Sequence, residues 1–208
     1  RNKLGILFFK FKKKKILKIL IFCPQRTFSN YLESFLLKNF YVEVVNSTDN
    51  IKNYDNPLHK HSISTNPILN EKFNNNNYII FLLYKNSSYW IDSLNRNDQD
   101  FFDQFLEFHK IKIERHDRSA LSKYHKNWYE TWIDYLKNFS NVEFINHEQT
   151  FDLSNNLSLF NYLNSKYPII SKGKMKLPTN IRRSSSFNIN NYRKSTNFDE
   201  YSKFFKII

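Results

Sequence analysis

The chain of 208 residues carries 32 Lys/Arg against 19 Asp/Glu, a net charge of +13, with two Gly, one Met and one Cys. A length of this order can bury one sizeable core, so one domain with tails is expected rather than two domains. The lone cysteine, Cys23, excludes a disulfide within the chain and any zinc site built from several cysteines.

The charge is unevenly spread. Residues 1–18 hold eight Lys/Arg and no acid, residues 171–197 hold seven and no acid, and residues 198–208 hold two of each, which leaves 15 basic and 17 acidic side chains for residues 19–170. A nearly neutral folded domain is therefore expected over residues 16–170, with a basic N-terminal tail over 1–15 and a basic, partly disordered C-terminal segment over 171–208. Basic tails can meet nucleic acid, an anionic membrane or an anionic ligand, or keep a protein in solution. No nucleic-acid motif accompanies these, so no specific nucleic acid partner is expected. Phe, Tyr, Ile, Asn and Lys have A/T-rich codons, and the Lys run at 12–15 and the Asn run at 74–77 are read as the mark of an AT-rich genome. The apolar run at 16–23 is interrupted by Lys18, is far too short to span a bilayer and lacks a small-residue cleavage site. A soluble, cytoplasmic protein without a transmembrane segment is the expectation.

In chain order, residues 19–23 form an apolar run bounded by Pro24, the pattern of a buried strand. Residues 29–39 place Tyr31, Leu32, Phe35 and Leu36 on one helix face. A short strand is expected at 41–45, then a polar stretch from 46 to 77 that is long for a structureless loop. Residues 78–84 are a continuous apolar strand of the kind covered on both faces. Helices are expected at 88–95, at 98–110 with five apolar residues at helical spacing, and at 121–139, where Trp128, Trp132 and Leu136 recur every four residues. A last strand at 142–145 and a short helix at 158–166 follow. Strands alternating with helices predict an α/β fold, a parallel sheet flanked by helices, whose ligands bind at the carboxyl ends of the strands. The loops after Cys23, Val45 and Tyr84 therefore matter most.

The first of these loops has the order of a phosphate site. The N–H groups of a loop and of the first helical turn attract an anion, and Arg26, Thr27, Ser29 and Asn30 can add charge and donors. Glycine is missing, however, and Phe28 stands near the centre, where the backbone normally needs positive φ. The same strand, turn and helix also occur in α/β proteins that bind nothing there.

Taken together, the three loops resemble the sulfotransferase family over roughly residues 16–165. Cys23-Pro-Gln-Arg-Thr-Phe-Ser-Asn-Tyr-Leu32 is similar to the family's Pro-Lys-Ser-Gly-Thr-Thr or Gly-Pro-x-Arg-Ser-Gly-Thr-Ser-Tyr-Leu loop, which grips the 5′-phosphosulfate of the donor PAPS. Phe28 stands where the family has glycine. The stretch from Tyr78 to Arg96 resembles the family's strand followed by Arg/Lys-Asn-Pro-x-x-Trp-x-x-Ser-x-x-Arg, which places Lys85 and Ser93 on the residues that hold the donor's 3′-phosphate, with Ser87 in place of proline. Leu58-His-Lys-His-Ser62 is similar to the Trp-Lys-His-Gly or Lys-Thr-His segments beside the scissile sulfate. Sulfuryl transfer needs a base for the acceptor's proton and a cation for the leaving phosphate, which the resemblance assigns to His61 and Lys60. The helix with Trp128 and Trp132, and the strand leading to Glu148, also resemble the family, as fold rather than chemistry.

The resemblance thus implies a P-loop NTPase-like sulfotransferase fold, catalytic residues His61 and Lys60, donor contacts from Arg26, Thr27, Ser29, Asn30, Lys85 and Ser93, and PAPS as donor with no metal. A basic segment at 172–194, with Arg182 and Arg183, corresponds to the segment that closes over the nucleotide in relatives. Two other functions fit the residues: a sulfotransferase-like binding or scaffold protein that has lost turnover, suggested by Phe28 and Ser87, and a nucleic-acid module acting through the basic ends. Neither the acceptor, a hydroxyl or an amine, nor the oligomeric state can be read from the chain.

Overall fold

Four short runs of β-branched and aromatic residues form the strands, and their period of two sends alternate side chains to opposite faces. The computed structural model describes residues 16–47, 50, 51, 56–63, 73, 74, 77–147, 153–178 and 205. The strands are β1 (Leu17–Phe22), β2 (Val42–Val44), β3 (Tyr78–Tyr84) and β4 (Val142–Asn146), and the helices are α1 (Ser29–Asn39), α2 (Ser87–Asn95), α3 (Gln99–His109), α4 (Arg118–Leu136) and α5 (Leu153–Lys166). The sheet is parallel throughout, in the order β2-β1-β3-β4, with Ile19 opposite Val44, Leu20 opposite Ile80 and Leu82 opposite Phe144.

Alternation divides the core in two. Leu20, Phe22, Ile80, Leu82 and Tyr84 pack with Trp90, Leu94, Phe102, Phe105, Trp128, Tyr129 and Trp132, so α2, α3 and α4 cover one face. Ile19, Ile21, Cys23, Ile79, Phe81, Leu83 and Ile145 pack with Tyr31, Leu32, Phe35, Leu36, Leu159 and Leu163, so α1 and α5 cover the other. All seven residues of β3 are buried, as its unbroken apolar run requires. The ring of Trp132 stacks on Phe22 with centroids 4.3 Å apart.

Helix starts follow their caps. Asn86, Asp98 and Asp117 each accept a backbone N–H of the first turn of α2, α3 and α4. Asp117 explains why α4 begins three residues before the expected 121. The last helix starts at Leu153, five residues ahead of the expected 158. No helix among the described residues is long and apolar enough to cross a membrane.

Within the expected C-terminal segment, Lys172 N donates to Asn39 O at 2.7 Å and Lys176 N to Asn39 Oδ1 at 2.6 Å, which fixes this stretch to the end of α1. Phe205 is buried against Tyr84 with centroids 4.8 Å apart. The expected tail over 1–15, Glu148, Arg182 and Arg183 lie outside the described residues.

Because β1 leads to β2 on one side and the chain then returns to β3 on the other, the order reverses between β1 and β3. The carboxyl ends of these two strands diverge into a crevice, the usual ligand position of an open parallel sheet.

Candidate functional site

The loop leaving β1 enters α1 through two left-handed residues, Arg26 at φ 66° and Phe28 at φ 60°. The conformation that the sequence reading reserves for glycine is thus adopted by Phe28 itself, at a cost of about 1–2 kcal/mol for a residue with a Cβ. Its ring lies against His147, centroids 4.4 Å apart, and packs on the apolar cluster of the α1 face. No side chain among the described residues caps α1. Thr27 is 1% exposed, and its hydroxyl has no hydrogen-bond partner among the described residues. A buried orphan hydroxyl costs about 1–3 kcal/mol, and Thr27 is one of the residues that line the crevice.

Donors from the second loop hold the first in shape. Trp90 Nε1 donates to Gln25 O at 2.7 Å, and Lys85 Nζ donates to Arg26 O at 3.0 Å. Lys85 follows β3 directly, and Asn86 caps α2 so that the helix turns Ser93 and Arg96 toward the same space. Lys85 is 3% exposed, and burial, with Arg96 and Arg26 adding to it and Asp92 opposing, pushes its ammonium down to about 7. Burial and Arg96 also lower Arg26, whose guanidinium sits 5.6 Å from the Phe101 ring centroid. These cations crowd together without a carboxylate in the cleft wall among the described residues, an arrangement that favours an anion.

The third segment is annexed to the first loop by main-chain bonding, since Cys23 N donates to Lys60 O at 2.9 Å. His61 Nδ1 donates to Cys23 O at 2.8 Å, which leaves Nε2 as the lone-pair nitrogen. Burial drives His61 down to about 3, against the pull of that carbonyl and helped by Lys60, His59 and His109, so the ring is neutral at physiological pH. Trp128 and Trp132, read from the sequence as packing residues, also donate to His61 O at 3.4 Å and Ser62 O at 2.9 Å.

Arg26, Thr27, Ser29, Asn30, His61, Lys85 and Ser93 all line one cleft of about 390 Å³. Ser29 is buried beside Cys23, whose thiol is pushed up to about 12, chiefly by burial, with Lys60 and Ser29 opposing. Lys60 is not in the cleft wall: its ammonium donates to Asn30 Oδ1 at 2.7 Å and pairs with Glu33 at 3.5 Å. Arg182 lies outside the described residues. Phe28 and Tyr31 also line the wall, and sequence reasoning did not pick out its other members, Gln25, Tyr89, Arg96 and Phe101. Arg96 had a signal, the Ser-x-x-Arg spacing from Ser93; the two aromatic residues had none, because every amphipathic helix here is rich in them. Among the described residues no group of three His, Cys, Asp or Glu side chains is placed to hold a metal ion.

No family model, curated protein or solved structure matches the chain.

Proposed function

We propose that this cleft binds the sulfate donor PAPS and that the protein transfers its sulfuryl group to a hydroxyl or amine. The observation that carries the reading is the meeting of Arg26, Lys85, Ser93 and Arg96 with Thr27 in the wall of one cleft, with no carboxylate among the described residues that line it. In this reading the loop after β1, with Thr27 and the uncapped start of α1, takes the 5′-phosphosulfate. Lys85, Ser93 and Arg96 take the 3′-phosphate. The sulfur–oxygen bond to the 5′-phosphate breaks as the acceptor's bond to sulfur forms, and the acceptor's proton goes to His61 Nε2. Positioning and electrostatics supply most of the rate, as in other group transfers between oxygens.

A second reading, a donor-binding protein without turnover, is favoured by one feature. Lys60, the cation that the resemblance assigns to the leaving phosphate, directs its ammonium to Asn30 and Glu33. Calorimetric titration with 3′,5′-adenosine bisphosphate, with 5′-AMP as the control lacking the 3′-phosphate, tests the donor site common to both readings. Micromolar binding that needs the 3′-phosphate supports it, and equal or absent binding of both ligands removes it. His61→Ala then separates the two readings, since loss of transfer with retained nucleotide binding is expected only of an enzyme.

A further inference from the structure

Lys85 is the first residue beyond β3, where the strand ladder with β4 has ended at the Tyr84 and Asn146 pair. Its main chain would be left to find partners elsewhere. Two side chains of α4 supply them. Tyr129 Oη accepts Lys85 N at 3.3 Å and donates to Leu83 O at 2.7 Å, and His125 Nε2 donates to Lys85 O at 2.9 Å. Both the N–H and the carbonyl of Lys85 are therefore gripped from α4, while its ammonium reaches across to Arg26 O.

We propose that Tyr129 and His125 are positioning residues for Lys85, a clamp on its backbone that aims the buried ammonium at the anion cleft. Tyr129 and His125 stand four residues apart, the spacing that puts two side chains on one face of a helix over the strand end. Their rings pack face to edge with centroids 4.8 Å apart, and Tyr129 is further enclosed by Tyr84 at 5.0 Å, Trp128 at 5.1 Å and Phe205 at 5.6 Å. The aromatic packing fixes the rings, and the polar tips fix Lys85. Released from the clamp, the lysine backbone would rotate and its long side chain would reach water, since Arg26 and Arg96 repel it and, among the described residues, Asp92 alone opposes them. The consequence for donor binding rests on the reading given above; the clamp itself does not.

The test has one arm that needs no nucleotide. Trace acetylation with acetic anhydride across a pH series, read at Lys85 by peptide mass spectrometry, reports the midpoint at which its amine becomes reactive. Tyr129→Phe keeps the ring and its packing, so the fold is retained while the hydroxyl bridge is lost. The midpoint is expected near 7 in the native protein and higher by about one pH unit or more in Tyr129→Phe, as the amine gains solvent. His125→Gln, whose amide can still donate to Lys85 O, should keep the native midpoint, and His125→Leu should raise it, a measure independent of Tyr129. A role in packing alone would not distinguish Gln from Leu in this way. An unmoved midpoint in both Tyr129→Phe and His125→Leu would overturn the clamp. In a second arm, the preference for 3′,5′-adenosine bisphosphate over 5′-AMP should fall about tenfold in Tyr129→Phe, the loss of roughly one well-made contact to a charged group. Native protein that shows the midpoint shift yet ignores the 3′-phosphate would sink the donor reading and leave the clamp standing.

Discussion

Lys85 Nζ donates to the carbonyl of Arg26 at 3.0 Å, and this bond joins the end of β3 to the loop that leaves β1. The carbonyl belongs to a residue in the left-handed region, so the bond also helps hold the loop in the shape that exposes the start of α1. One lysine thus serves two purposes, as a cation in the cleft and as a brace for the opposite wall. The brace uses one of three ammonium donors, which leaves the others for an anion.

Lys85→Met should separate these purposes. The ammonium is lowered from 10.5 to about 7 by burial first and by Arg96 and Arg26 next. Between those values the unfolded chain binds more protons than the folded one, so the native protein gains stability as pH rises through that window and bears the full penalty below it. Methionine removes a penalty on the order of a few kcal/mol and loses one hydrogen bond of about 1 kcal/mol. The variant is expected to melt above the native protein at mildly acidic pH, with the advantage shrinking toward the alkaline end, and, if the cleft takes the proposed donor, to lose binding of the bisphosphate. Melting curves across pH check the sign, and a variant less stable at every pH would show that the brace outweighs the buried charge.

Thr27→Val tests the orphan hydroxyl. The two side chains have nearly the same shape, so packing is kept while the unsatisfied oxygen is removed, a change worth up to about 1–3 kcal/mol in favour of the fold. If the hydroxyl serves a bound phosphate, the same change should weaken binding of the bisphosphate by about tenfold or more. Stability and affinity would then move in opposite directions. A drop in both would mean that Thr27 is satisfied within the protein.

The fold was legible because its signals are local. The apolar run of β3, the helical spacing of Phe102 and Phe105, and the Trp128 and Trp132 repeat each specify an element without reference to the rest of the chain. Element ends were less legible where a cap decides them, as Asp117 does for α4. At the site, the residues that approach one another across long separations were picked out only where a family pattern linked them, as for Arg26, Lys85 and Ser93. The partners that give Lys85 its setting, Tyr129 and His125, lie more than a helix away in sequence and are indistinguishable there from other core aromatics. The reading of Lys60 came from the resemblance of residues 58–62 to a family segment, which does not reveal that Glu33 and Asn30, one helix earlier, take its ammonium.

Three histidines beside the cleft give the protein an acid limit. His59 is lowered from 6.5 to about 4, first by burial and then by Lys60. His61 and His109 are lowered to about 3, again chiefly by burial. The unfolded chain takes up protons on all three from 6.5 downward while the folded protein resists until about 4 and 3, so the stability these histidines contribute is full above 6.5 and falls progressively as the pH drops through this range. His109→Gln should make the decline shallower, because one of the three protons no longer distinguishes the two states. Denaturant midpoints at a series of acidic pH values test this, and an equally steep decline in the variant would place the acid sensitivity elsewhere.

Phe28 decides whether the cradle tolerates a side chain where glycine is expected. At φ 60° the residue is strained, and glycine there relieves about 1 kcal/mol. Against this, the ring packs on His147 and lies 5.8 Å from the Lys85 ammonium, and its removal exposes part of the apolar cluster beneath. For a half-buried ring that loss outweighs the relief by about 1–2 kcal/mol. Phe28→Gly should therefore melt below the native protein but above Phe28→Ala, which loses the ring and keeps the strain. The gap between Gly and Ala isolates the cost of the left-handed backbone. Because Phe28 lines the cleft beside Lys85 as well as packing on His147, Phe28→Gly also tests the cradle: an unchanged affinity for the bisphosphate is expected if the loop takes the phosphate with the ring in place. A large gain in affinity for the bisphosphate would instead identify the ring as an obstruction, and would favour the reading in which the native protein has given up turnover.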